Sequence, residues 1–500
     1  MKALNEKAMK SVRFIIIVGI FTRVLNFIKE TLIASNIGCC FETDSYFLAF
    51  TATTLSAEIM GEGVSTSLVP VLLKIEAKEG KDSKGYYINN ILHGALVFSL
   101  ILIILNWILS PLVVRILARG FVGEEFSRTV SLMRIGLPMI LFIIIRTVYV
   151  AYLQSYHAFR AGTKSWIYYN LVYILYLLFF NRYGFHGLMV TGILASALQL
   201  YSVIPTCREY GYRYEGILNF KDKYLREFVV MLMPMVIGIS INRINVVVDK
   251  SVASTLTLGT ISGLNYANEI VQLVLGLFIT AIVTVFFPIF SQEYNREDPA
   301  WVRRVMRRGL DLILEISIPA TVILAVLSHP IVKLLFERGE FRPEATLMTS
   351  QALTYYALGL GSMALVLILT KAHYATYDSI TPMIIGIVGV IINLFLDLLL
   401  SKFMGIKGLA LATSISTGLI TILLIRDLNR KVKVIDIHRD YKKLLILLVK
   451  ALLMAVLIRV TFNMLDRILI DNIVGEILAT IISIGTGIIF WIGPKILKYV

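Results

Sequence analysis

The chain has 500 residues, of which 57% are apolar and 16% charged, with a mean hydropathy of +0.79 and a formal net charge of +15. A soluble globular chain averages about 45–50% apolar and about 25% charged residues, so an ordinary soluble fold is excluded. A disordered chain or, with three cysteines, a small disulfide scaffold is excluded as well. Crossing a bilayer takes about 20 apolar residues, and the surplus here predicts an all-α polytopic membrane protein.

Taken in chain order, the hydrophobic runs predict fourteen transmembrane helices, at 11–35, 44–73, 88–114, 130–153, 164–181, 186–206, 227–254, 260–291, 309–336, 346–370, 380–400, 405–425, 444–464 and 473–494. The first run is interrupted by Arg23 and Lys29 and has no small-residue cleavage site after it, so no cleavable leader is expected. An even number of crossings puts both termini on one side. That side carries Lys74, Lys78, Lys81 and Lys84, then Arg208, Arg213, Lys221, Lys223 and Arg226. It also carries Arg303, Arg304, Arg307 and Arg308, and finally Arg426, Arg430, Lys431, Lys433, Arg439, Lys442 and Lys443. The positive-inside rule makes it cytoplasmic. The basic excess is then an orientation signal, and no nucleic-acid partner is needed to explain it.

One constant offset carries Ala34-Ser35 onto Ala253-Ser254, Ser110-Pro111 onto His329-Pro330, and Arg119-Gly120 onto Arg338-Gly339. This predicts two parallel-oriented six-helix repeats forming two lobes. The expected organisation is an N-terminal lobe at 1–206, a cytoplasmic linker at 207–226, a C-terminal lobe at 227–430 and two additional helices within 431–500. Parallel repeats of this kind suit a transporter with its path between the halves.

A charge inside a span is costly unless it faces water or a partner, so each one is a functional candidate. Helix one carries Arg23, Lys29 and Glu30, and helix two carries Asp44, Glu58 and Glu62. Helix four has Arg146, helix seven has Arg243, Asp249 and Lys250, and helix eight has Asn268 and Glu269. Structural ion pairing of Glu30, Glu58 or Glu62 with Arg23 or Lys29 is one reading, and a hydrated charged cavity is the other. Asn393 and Asp397 sit one helical turn apart, with Thr413 and Asp249 as further oxygen donors. Oxygen-only ligands suit a hard cation, while an intramembrane Asn-Asp pair also serves as a helix-helix hydrogen-bonding device.

Enzyme signatures are missing: there is no phosphate-binding Gly-Lys-Ser/Thr loop, no His-Glu-x-x-His and no Gly-x-Ser-x-Gly. Cys39, Cys40 and Cys207 show no metal-ligand spacing.

An ordered series of motifs resembles the MurJ (MviN) family of lipid II flippases, within the multidrug/oligosaccharidyl-lipid/polysaccharide exporter superfamily. The series runs from Thr22-Arg23-Val24-Leu25-Asn26-Phe27-Ile28-Lys29-Glu30 through Asp44-Ser45-Tyr46-Phe47 and Gly61-Glu62-Gly63 to Val69-Pro70. It continues with Asn265-Tyr266-Ala267-Asn268, Leu335-Phe336-Glu337-Arg338-Gly339, and Tyr374-Ala375, Asp378 and Thr381-Pro382. The resemblance implies a transporter of undecaprenyl-pyrophosphate-linked saccharide, with the peptidoglycan precursor lipid II foremost. It implies a bacterial inner-membrane location and synthesis proteins of the cell wall as partners.

Residue by residue, Arg23, Asp44 and Glu62 match the family. Lys29 stands where an arginine is usual, and Glu58 and Glu269 stand where basic residues are expected. The substrate-binding set implied is Arg23, Lys29, Asp44, Glu58, Glu62, Lys250, Asn268 and Glu269. Asp249, Asn393, Asp397 and Thr413 match a sodium site found in some members. No cofactor beyond such an ion is expected. Because of the two missing cations, three other readings stay open: a flippase for another lipid-linked oligosaccharide, a cation-coupled multidrug exporter, and a non-transporting scaffold of envelope synthesis.

Overall fold

The computed structural model describes residues 2–80, 83–295, 299–432, 437–469 and 473–496; Lys81 and Lys433 of the basic clusters fall outside them. Among the described residues the chain is helical throughout, with no strand. It divides into two compact units, Met1–Ser262 and Gly263–Val500.

The first unit opens with α1 (Lys2–Ile37), α2 (Phe41–Glu79) and α3 (Ser83–Leu117). The expected fourth span comes as two pieces, α4 (Gly123–Gly136) and α5 (Met139–Gln154), bent by 41°. Pro138 sits in the break, where its missing N–H and fixed φ interrupt the ladder. Then come α6 (Phe159–Phe179), α7 (Gly184–Tyr201), α8 (Ile204–Glu209) and α9 (Lys223–Ala253). The core of this unit gathers Leu68, Leu72 and Ile75 of α2, Ile88 and Ile91 of α3, Val148 and Tyr152 of α5, and Leu225 and Phe228 of α9. By contrast Ile101, Ile104, Trp107 and Ile108 of α3 lie exposed, as side chains facing lipid must.

The second unit contains most of α10 (Thr260–Val274), which runs through a short π-helical stretch, Leu275–Ile279, into α11 (Thr280–Asn295). It continues with α12 (Pro299–Val326), the short α13 (Ser328–Phe336), α14 (Pro343–Ala375), α15 (Ile380–Met404) and α16 (Ile406–Val432). The last two helices, α17 (Ile437–Leu469) and α18 (Ile473–Ile496), lay Met454, Ile458, Ala479 and Trp491 against Val322 and Leu327. Trp491 also donates its ring N–H to the carbonyl of Glu315 on α12 at 2.9 Å.

On length and composition ten of the described helical segments are apolar enough to cross a membrane, and α4 with α5 would make an eleventh. The remaining expected spans are α1, α2 and α6. These are long helices whose apolar runs are diluted by the charges of α1 and α2 and the tyrosines of α6.

Candidate functional site

The charged residues of the first unit converge because two glycines let their helices approach. A Cβ at Gly61 would meet Thr147 Oγ1 of α5 at 3.1 Å, and one at Gly63 would meet Leu232 and Val236 of α9 at 3.0 Å. Both glycines are buried against neighbours, while Glu62 between them stays exposed. The Gly-Glu-Gly motif is thus a packing seam that presents one carboxylate to the open side.

Opposite that carboxylate stands Arg243 of α9. Its Nη1 lies 3.3 Å from Glu58 Oε2 and its Nη2 lies 3.5 Å from Glu62 Oε2, so one guanidinium spans two carboxylates a helical turn apart. The three side chains are 35%, 44% and 56% exposed, respectively. The sequence puts Arg23 or Lys29 forward as counter-ions for the α2 carboxylates; the structure gives Glu58 and Glu62 Arg243 instead. Its place among the intramembrane charges was visible, but its rotation toward α2 was not. Arg23 is exposed and makes no ion pair among the described residues.

Lys29 is buried and pairs with its neighbour Glu30 at 2.9 Å, with its ammonium 5.3 Å from the centre of the Tyr173 ring. Tyr169 and Tyr173 of α6 and Tyr46 of α2 are buried beside this pair. Lys250 is half-buried, 5.9 Å from the centre of the Phe47 ring, within the electrostatic reach of Asp44, Asp249 and Glu30.

Asp44 has a distinct job. It is buried, and its Oδ2 accepts from the Gly259 N–H while its Oδ1 accepts from the Ser262 N–H and hydroxyl, all at 2.7 Å. It therefore holds the first backbone donors of α10, which have no partner inside the helix.

In the second unit Asn268 and Glu269 are half-buried on α10. Asn393 and Asp397 are buried on one face of α15, and Thr413 lies half-buried on the adjoining α16, its hydroxyl reaching the Leu409 carbonyl at 3.2 Å. The fourth expected ion ligand, Asp249, belongs to the first unit. None of the three cysteines forms a disulfide among the described residues.

The family model for the lipid II flippase MurJ matches residues 33–479. The chain belongs to the lipid II flippase MurJ family. A relative described as a probable lipid II flippase MurJ from Buchnera aphidicola (subspecies Acyrthosiphon pisum) is 26% identical over 466 residues, covering 92% of this chain and 91% of that one. Another so described, from Vibrio cholerae, is 27% identical and covers 85% and 83%, respectively. A solved structure of the lipid II flippase MurJ in an inward closed conformation superposes with a TM-score of 0.78 at 25% identity, over 96% of this chain and 99% of that one. An inward-facing MATE-family multidrug resistance transporter of the MOP superfamily gives 0.70 at 12% identity, covering 82% and 94%, which shows a shared fold. Membership of this family makes the protein a multi-pass membrane transporter rather than an enzyme.

Proposed function

We propose that the protein carries lipid II, an undecaprenyl-pyrophosphate-linked saccharide, from the inner to the outer leaflet of the bacterial cytoplasmic membrane by alternating access. The observation that carries this reading is the Glu58–Arg243–Glu62 bridge. Charges exposed along helices of a membrane protein are expensive against hydrocarbon, so they belong on a hydrated path. Contacts of 3.3 and 3.5 Å are longer than the ~2.7–2.9 Å of a tight charge-assisted pair. Arg243 is thus held loosely enough to exchange a carboxylate for a diphosphate oxygen. In this way α9 supplies the guanidinium that α2 lacks, and the glutamate at 58 is compatible with an anionic substrate.

The polyprenyl tail stays in lipid while the headgroup crosses. The basic loops support, by the positive-inside rule, a cytoplasmic location for both termini. Sodium is the proposed coupling ion. The buried oxygen donors of Asn393 and Asp397, with Thr413 on the next helix, suit a hard cation that has shed its water. Membrane potential adds about 2.3 kcal/mol per charge per 100 mV to the bias. Proteins that make peptidoglycan from the delivered precursor are the expected partners.

The test is replacement: a bacterium depleted of its own lipid II flippase, with this chain expressed and inserted in its membrane. Restored growth and lipid II export are expected. Accumulation of lipid II in the inner leaflet would overturn the reading, and efflux of organic cations in the same cells would assign the exporter function instead.

A further inference from the structure

A histidine, two aspartates and a lysine converge at one end of the second unit, where α14, the turn after it and α16 meet. None of them belongs to the transport path proposed above. His373 is fully buried, and its Nδ1 lies 2.9 Å from the Leu369 carbonyl. A carbonyl only accepts, so Nδ1 carries the proton and donates. In the neutral ring Nε2 then presents a lone pair, and it faces Asp427 Oδ2, also an acceptor, at 3.3 Å. Two acceptors at that distance need a cation between or beside them.

Asp378 is aimed at the same point. Its Oδ1 accepts from the Thr381 N–H at 3.0 Å, opening α15, and its Oδ2 takes the ammonium of Lys431. Lys431 also reaches Asp427 Oδ2 at 2.6 Å. The ligand atoms of His373, Asp378 and Asp427 all lie within 4.8 Å of one another.

We propose that His373, Asp378 and Asp427 form a binding site for a divalent transition-metal ion of the zinc class, whose place the Lys431 ammonium takes when no metal is bound. One imidazole and two carboxylates are a donor set that such ions accept, with a fourth position left for water. The supporting bonds are already made: a metal-bound histidine characteristically donates its second N–H to a backbone carbonyl, and a ligating carboxylate is itself hydrogen-bonded. Lys431 has a way out, since its side chain is 34% exposed on a flexible stem. Metal binding would tie the end of α14, the turn through Tyr377 and the end of α16 into one piece. Tyr377 holds a left-handed backbone conformation at φ +59, which keeps that turn tight.

The experiment uses the full chain, purified in micelles and stripped with a chelator. Zinc is titrated in competition with a chromophoric chelator, and cobalt is used as a spectroscopic substitute. One equivalent of zinc is expected, with a cobalt spectrum of low-coordinate type. His373→Gln and Asp427→Asn should abolish both signals. Lys431→Ala removes the competing cation and should tighten binding about tenfold or more, the scale on which neighbouring groups act on metal affinity. Should the buried variants fail to fold, the half-exposed Lys431→Ala still decides: unchanged or weaker zinc binding overturns the proposal. So does pH-dependent unfolding that disappears in His373→Gln while zinc has no effect, because a proton alone would then be the cation.

Discussion

Replacing Asp44 should separate a positioning role from a substrate-binding one. Its carboxylate is the acceptor for the N–H groups of Gly259 and Ser262 in a buried setting. In Asp44→Ala both donors lose their partner where water does not reach. Each such orphan costs about 1–3 kcal/mol, so the loss comes to about 2–6 kcal/mol. The Ser262 hydroxyl adds little, because it already has the Gly259 carbonyl at 3.1 Å as a second acceptor. Asp44→Asn keeps one oxygen for Ser262 but turns an amide NH₂ toward the Gly259 N–H, orphaning one donor at about 1–3 kcal/mol. Ser262→Ala, which leaves both backbone bonds intact, should cost least. The assay is denaturant unfolding in micelles followed by tryptophan fluorescence, with lipid II export measured on the same variants. The ranking Ala, Asn, then Ser262→Ala, from worst to mildest, is expected. Wild-type stability in both Asp44 variants, with export lost, would refute the clamp and make Asp44 a substrate group.

Arg243→Ala should abolish export while changing stability by less than about 1 kcal/mol, because the ion pairs are half-exposed and screened; unchanged export in the replacement assay would count against the bridge. Gly120→Ala should prevent accumulation of folded protein, since its Cβ would drive into the Ser254 carbonyl and lie 2.7 Å from Thr255 Cα, backbone that cannot swing away; normal size-exclusion behaviour would contradict the packing. Asp397→Ala should remove sodium-dependent thermal stabilisation, and a sodium response equal to wild type would reject that ligand.

Local spacing carried a large part of this molecule. The apolar runs predict where helices lie, because one crossing needs a set length of hydrocarbon-compatible side chains. Neighbours such as Asn393 and Asp397 share a face by helical geometry alone, and both are buried on α15. The motif series resembles the family that the match over residues 33–479 shows, and Gly61-Glu62-Gly63 marks a carboxylate flanked by two residues without side chains. The bend at Pro138 was less legible, since a proline predicts a break without saying whether the two pieces serve one span.

Pairing across helices was decided by tertiary structure. Arg243 is far from Glu58 and Glu62 in sequence and meets them because Gly63 admits α9 against α2 at one rotation and depth. Asp44 looked like a charge in a cavity and proves to hold the start of α10, and His373, Asp378 and Asp427 became one cluster only when α14 and α16 packed. An intramembrane charge announces its cost in the sequence, but its partner depends on which helix faces it. That choice is made by side-chain packing over the whole interface, which no short window of sequence contains.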